Sequence, residues 1–318
     1  MNSMKIKSDR SAVSTILVIV VVAIVVIAAV AAYVVLSNDE KTRGVGTTFT
    51  YDISGEVMGY EVGGTSTMEY IGQNNDSFFV MQSYDMTMAG EPAEMASSYT
   101  LVSKETGEPK DAKKEGTTEI NTVDGKKTVE IWSYSLDADG LEGSSKVYID
   151  PVSAIEYRST LEMEIQVEDE VVVLRMVAEY AGSDVVYQKS YKQSDNIGKK
   201  FEYNMVIAGE GFSYVVECVA DCKDGKYGMS ETMTIGETSM TEYLLADTPQ
   251  GLYVGAANPS NVTQEVNTID GKLTLEIWSG TYEGVEMYFA LSSDTGIIYL
   301  IEAYSGSTRL FYLELESY

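Results

Sequence analysis

One segment, Glu119-Ile-Asn-Thr-Val-Asp-Gly-Lys-Lys-Thr-Val-Glu-Ile-Trp132, returns 146 residues downstream as Glu265-Val-Asn-Thr-Ile-Asp-Gly-Lys-Leu-Thr-Leu-Glu-Ile-Trp278, with nearly every change conservative. A repeat this close means that the chain builds one structural unit twice. The flanks repeat more loosely: Phe49 and Tyr51 match Phe201 and Tyr203, and Val147, Tyr148, Ile155 and Tyr157 match Met287, Tyr288, Ile297 and Tyr299. The first unit is placed at residues 46–182, the second at 199–318, with a polar connector over 183–198. Within each unit the local signals are those of strands. Thr128–Trp132 and Leu273–Trp278 alternate apolar and polar residues, the period of a half-buried strand. Asp124-Gly125 and Asp270-Gly271 are tight-turn dipeptides between such runs, so each copy of the repeat is expected to be a hairpin. Outside residues 13–36 no long stretch sustains a helical period. The expected fold is all-β: two tandem homologous antiparallel domains, each a curved sheet or a sandwich.

Composition narrows the functional classes. The net charge is −27, with 49 acidic residues. A surface of that sign repels phosphate backbones, so nucleic acid is not an expected partner. Histidine is absent, which removes serine–histidine and cysteine–histidine catalysis from this chain. No nucleophile elbow, P-loop or zinc spacing is present, so no enzyme and no cofactor is expected. The 23 tyrosines suit half-buried sheet surfaces, where the ring packs and the hydroxyl reaches water.

The N-terminus carries a different signal. Ile16–Leu36 is uncharged and apolar throughout, long enough as a helix to span about 30 Å, one bilayer core. A transmembrane helix is expected over 13–36, between a basic leader over 1–12 and a linker over 37–45. Lys5, Lys7 and Arg10 precede it, so the positive-inside rule puts the N-terminus in the cytoplasm and the β domains outside a plasma membrane. The run Asp9-Arg10-Ser11-Ala12-Val13-Ser14-Thr15-Ile16 leading into this helix resembles the start of archaeal pilin-type proteins, which carry a class III signal. That resemblance implies leader removal between Arg10 and Val13 and packing of many such helices into a filament core. The remainder resembles uncharacterised archaeal membrane-anchored surface proteins with tandem β domains. The duplicated "DGK-x-TxEIW" sheet is also similar, more loosely, to lipoprotein carriers that wrap a half-barrel around an acyl chain.

Several residues are candidates for a site, each beside a plainer structural role. Trp132 and Trp278 end alternating strands out of phase with Val129 and Ile131, so a ring leaves the core face unless a bulge intervenes. They are candidates for exposed aromatic binding or for core packing. Cys218 and Cys222 are the two cysteines; in one straight strand their Cα atoms would stand roughly 13 Å apart, too far to bridge, whereas a bulge or turn allows a disulfide. Asn75 and Asn261 stand in N-glycosylation patterns. Asp137, Asp139 and Glu142 form a weak calcium candidate or a plain acidic turn. The expected function is a non-enzymatic, single-pass, membrane-anchored cell-surface protein with a structural or binding role, its partners the bilayer and either envelope polymers or identical subunits. The alternative readings are a pilin-like filament subunit and an envelope protein binding a solute, glycan or cation.

Overall fold

The structure is a computed structural model describing residues 43–318 apart from 58, 105–111, 139–140, 154, 168–169, 188–189, 253–256 and 283. Its contacts divide the described residues into two units: one built from residues 43–71 with Asp76–Tyr191, the other from Gly72–Asn75 with Lys192–Tyr318.

The first unit contains β1 (Thr48–Val57), β2 (Tyr60–Gln73), β3 (Ser77–Met88), β4 (Glu91–Ala93), β5 (Ser98–Ser103), β6 (Lys113–Thr122), β7 (Gly125–Ala138), β8 (Leu141–Ile149), β9 (Glu156–Val167) and β10 (Glu170–Asp184). Neighbouring strands pair antiparallel from β6 through β10, and β10 pairs with β1, which pairs with β2. Bonds from Gln82 to Ser66 and from Thr87 to the Gly63 carbonyl tie β3 to β2. Strands β4 and β5 then share β3. The order is therefore β6-β7-β8-β9-β10-β1-β2-β3-β5, a meander whose first strand lies against its last.

The second unit contains β11 (Lys200–Ile207), β12 (Glu210–Cys222), β13 (Tyr227–Ile235), β14 (Thr238–Ala246), β15 (Asn258–Thr268), β16 (Gly271–Tyr282), β17 (Val285–Leu291), β18 (Ile298–Ser305) and β19 (Thr308–Ser317). Its order is β15-β16-β17-β18-β19-β11-β12-β13-β14. Strand for strand this is the order of the first unit, with β6 matched by β15, β1 by β11 and β9 by β18.

The duplicated motif does the same local work in both copies. Thr122 Oγ1 donates to the Gly125 carbonyl at 2.8 Å, and Thr268 Oγ1 donates to that of Gly271 at 2.9 Å. Gly125 and Gly271 take φ of 92° and 93°, a left-handed conformation that costs glycine little. Lys126 pairs with Glu119 as Lys272 pairs with Glu265. The turn aspartates reach further: Tyr157 donates to Asp124 at 2.8 Å, and Tyr299 donates to Asp270 at 2.6 Å. Each aspartate thus ties its hairpin tip to the strand carrying the tyrosine, which explains why the motif keeps Asp and not another turn residue.

Each sheet buries one face without a second layer of structure among the described residues, so it must roll around its own core. In the first unit that core includes Phe49, Tyr51, Ile53, Tyr70, Phe78, Leu161, Met163, Leu174 and Met176. In the second it includes Phe201, Tyr203, Val216, Met229, Phe289, Ile301 and Leu313. Close strand approach assists the rolling. A Cβ on Gly55 would fall 2.2 Å from the Arg175 carbonyl oxygen, a distance only a residue without a side chain avoids.

The all-β, duplicated architecture is present; the expected N-terminal membrane helix is not among the described elements. Among the described residues no helix is long and apolar enough to cross a membrane. The leader over 1–12, the helix over 13–36 and most of the linker over 37–45 lie outside them. The described chain satisfies its backbone between strands, and a pilin-type filament core needs packed helices. The pilin-type resemblance is corrected accordingly, together with the archaeal surface-protein assignment, the single-pass anchor, the bilayer as partner and the plasma-membrane topology. None of these enters the functional reading below.

Candidate functional site

The first unit presents a groove of about 510 Å³ on the face of its sheet away from the core. Strand alternation builds it. On β1, Ile53 and Val57 point inward while Ser54 and Glu56 are exposed. Across four further strands the registers align two rows of side chains. One row runs Glu61, Glu56, Arg175, Glu162 and Ser144. The next runs Gly63, Ser54, Val177, Thr160 and Lys146. Small side chains at Ser54 and Ser144 leave the groove its depth, and Gly55, Leu161 and Met176 contribute to its lining.

The charges of this face are unequally satisfied. Arg175 Nε donates to Glu162 Oε1 at 3.0 Å, and Lys146 Nζ donates to Glu115 Oε2 at 2.8 Å. Glu56 and Glu61 stand directly opposite one another in register and neither forms an ion pair among the described residues. Two like charges in a cross-strand pair repel, so the groove offers unpaired carboxylates beside three hydroxyls.

A second polar feature lies inside the same unit. Glu156 has no exposed surface, and among the described residues neither carboxylate oxygen has a hydrogen-bond partner. Burial pushes its carboxyl up to about 8. Ser159 lies close enough to favour the ionised form, but its Oγ is outside hydrogen-bonding geometry and unpartnered. Tyr51, whose hydroxyl is also unpartnered, is raised well above the usual phenol range by burial, with further pressure from the Glu156 charge. Beyond Tyr51 stand Tyr70, Tyr180 and Arg43; Arg43 lies over the Phe49 ring at 5.3 Å and donates to the Ser153 carbonyl. Sequence reading passed over Glu156, although one signal was visible: the first repeat has Ile155-Glu156-Tyr157 where the second has Ile297-Ile298-Tyr299.

The residues singled out from sequence fall elsewhere. Trp132 is buried with Val147 and Ile149 in a cluster of its own, while Val129 belongs to the main core. Trp278 is half-buried at the matching place in β16. The pairing shifts beside each ring, between Lys114 and Gly116 in β6 and between Pro259 and Val262 in β15, so a bulge accompanies the phase break at both tryptophans. Cys218 and Cys222 are free thiols on β12, with a register shift between Cys218 and Ala220. Burial pushes both thiols up to about 12, which suppresses the thiolate. Asn75 is exposed and Asn261 lies at the β15 bulge. Asp137 is opposite Glu142 at the end of the β7–β8 hairpin, and Asp139 lies outside the described residues. The structure brings none of these into the groove.

No family model matches this chain, and no curated protein does. Among solved structures, a "putative AttH" from Nitrosomonas europaea is 10% identical, with 86% of this chain and 93% of that one covered at a TM-score of 0.19. A β-barrel-like protein of the domain of unknown function DUF1849 from Brucella abortus is also 10% identical, with 86% and 97% covered at a TM-score of 0.12. Similarities at these scores carry no argument about fold or function.

Proposed function

We propose that this chain is a non-catalytic binding protein whose outer groove on the first unit takes a small, positively charged polar solute. The observation that supports this reading is the unpaired Glu56–Glu61 carboxylate pair in a groove that also presents the Ser54, Ser144 and Thr160 hydroxyls. A ligand ammonium group between the two glutamates relieves their repulsion, and the hydroxyls accept or donate to its polar remainder. The groove has no aromatic ring in its lining, so it lacks the stacking platform that sugar rings favour. Catalysis is not part of the reading: the chain has no histidine, and its two thiols are held in the unreactive form.

The test is calorimetric titration of the full chain with a short aliphatic diamine, a dicarboxylate and a neutral oligosaccharide. The expected result is diamine binding that weakens with added salt, as a largely electrostatic contact does, and that is lost in the Glu56→Gln, Glu61→Gln double variant. Binding of the oligosaccharide or dicarboxylate alone, or diamine binding unchanged in the double variant, overturns the assignment.

A further inference from the structure

We propose that the first unit also holds a small monovalent cation, an alkali ion or ammonium, in its interior at Glu156, Tyr51 and Ser159. The observation is a difference between two copies of one fold. Tyr157 and Tyr299 are equivalent, since each donates to the aspartate of its own hairpin. Glu156 therefore corresponds to Ile298, and Tyr51 on β1 corresponds to Tyr203 on β11.

In the second unit the space beside these residues is filled from within the chain. Gln250 is buried there; its Nε2 donates to the Tyr203 hydroxyl and to the Ile298 carbonyl at 2.8 Å, and its Oε1 accepts from the Ile298 amide at 2.9 Å. The first unit has the matching phenol and a carboxylate in place of isoleucine, yet among the described residues the Tyr51 hydroxyl, both Glu156 oxygens and Ser159 Oγ have no partner. A buried carboxylate that is neither paired nor hydrogen-bonded is among the costliest groups a protein can hold. Among the described residues, two things are not supplied at Glu156: one positive charge, and the donor role that the Gln250 amide plays next door. A monocation meets both requirements. The oxygens offered are hard ligands suited to an alkali ion, and they are equally acceptors for ammonium N–H groups. A single carboxylate balances one charge and leaves a divalent ion uncompensated.

The site is independent of the groove, and the experiment separates them. Thermal unfolding of the full-length protein is measured in alkaline buffer, above the value of about 8 at which Glu156 ionises. The salts compared are the chlorides of potassium, sodium, ammonium and tetramethylammonium at equal ionic strength. Tetramethylammonium carries the charge without the size or the N–H groups. The expected result is a Tm higher by about 3 °C in at least one small cation than in tetramethylammonium, rising with the logarithm of its concentration. Preference for ammonium over the alkali ions assigns the donor role, and the reverse assigns an alkali site. Glu156→Ile, which installs the second unit's own residue, abolishes the difference; should it fail to fold, Glu156→Gln must do the same. The Glu56→Gln, Glu61→Gln double variant leaves the difference intact. Equal Tm values in all four salts, or a cation dependence that survives removal of the Glu156 charge, overturns the proposal.

Discussion

Replacing Glu156 by Gln is expected to remove most of the pH dependence of the first unit's stability. The carboxyl rises from an ordinary value of 4.5 to about 8 in the folded protein. The folded state therefore binds this proton more tightly than the unfolded chain does, and stability falls as pH rises between those two values. The stabilisation is complete below about pH 4.5, declines through neutrality and is lost above about 8. A shift of that size corresponds to ~5 kcal/mol across the window, to order of magnitude. The neighbouring phenols of Tyr51, Tyr70 and Tyr180 all titrate above their usual range and stay neutral throughout. The assay is urea unfolding followed at Trp132, with Trp278→Phe as background so that the remaining fluorescence reports the first unit. A tetramethylammonium buffer keeps small cations from masking the carboxylate. Half-buried Glu231 in the second unit is also raised, by burial first and then by Glu242, so the comparison with Glu156→Gln isolates the Glu156 contribution. If the variant shows the same pH slope as its parent, the reasoning from burial is wrong.

Other expectations follow from the repeat and its departures from symmetry. Trp132→Ala is expected to cost roughly 3–5 kcal/mol, as for other buried aromatic truncations, and Trp278→Ala measurably less because that ring is half-buried; equal losses in chemical denaturation would contradict the asymmetry. Tyr157→Phe and Tyr299→Phe each remove a bond to a charged turn aspartate and are each expected to cost about 1.5–3 kcal/mol, with one cost far from the other counting against equivalent roles. Gly55→Ala forces a Cβ against the Arg175 carbonyl and is expected to destabilise by ~2–3 kcal/mol through overpacking, read as a lowered urea midpoint. Both thiols are expected to react with a disulfide reagent only after unfolding; rapid labelling of native Cys222 would show that its burial is overstated.

The sequence by itself determined the all-β class, the duplication and the turn chemistry of each Asp-Gly hairpin. These are local matters: alternation sets strands, and a residue able to adopt positive φ sets the turn. The phase break at Trp132 and Trp278 was also legible, because period-two alternation leaves no freedom about which face a side chain takes. Composition alone argued for a membrane anchor as well, but hydrophobic length speaks only to residues 13–36 and said nothing about the folded units. Tertiary structure decided the rest. The Glu61–Glu56–Arg175–Glu162–Ser144 row unites five strands spread over more than a hundred residues, and no sequence spacing reveals which register aligns them. Glu156 is the sharpest case. In sequence it is one of 49 acidic residues beside an isoleucine and a tyrosine, which reads as an exposed strand position. A register shift between Tyr148 and Ile149 sets Glu156 opposite Ile149 at the start of β9, and the rolled sheet buries it completely. Desolvation depends on what closes over a group, and that is a property of the whole fold.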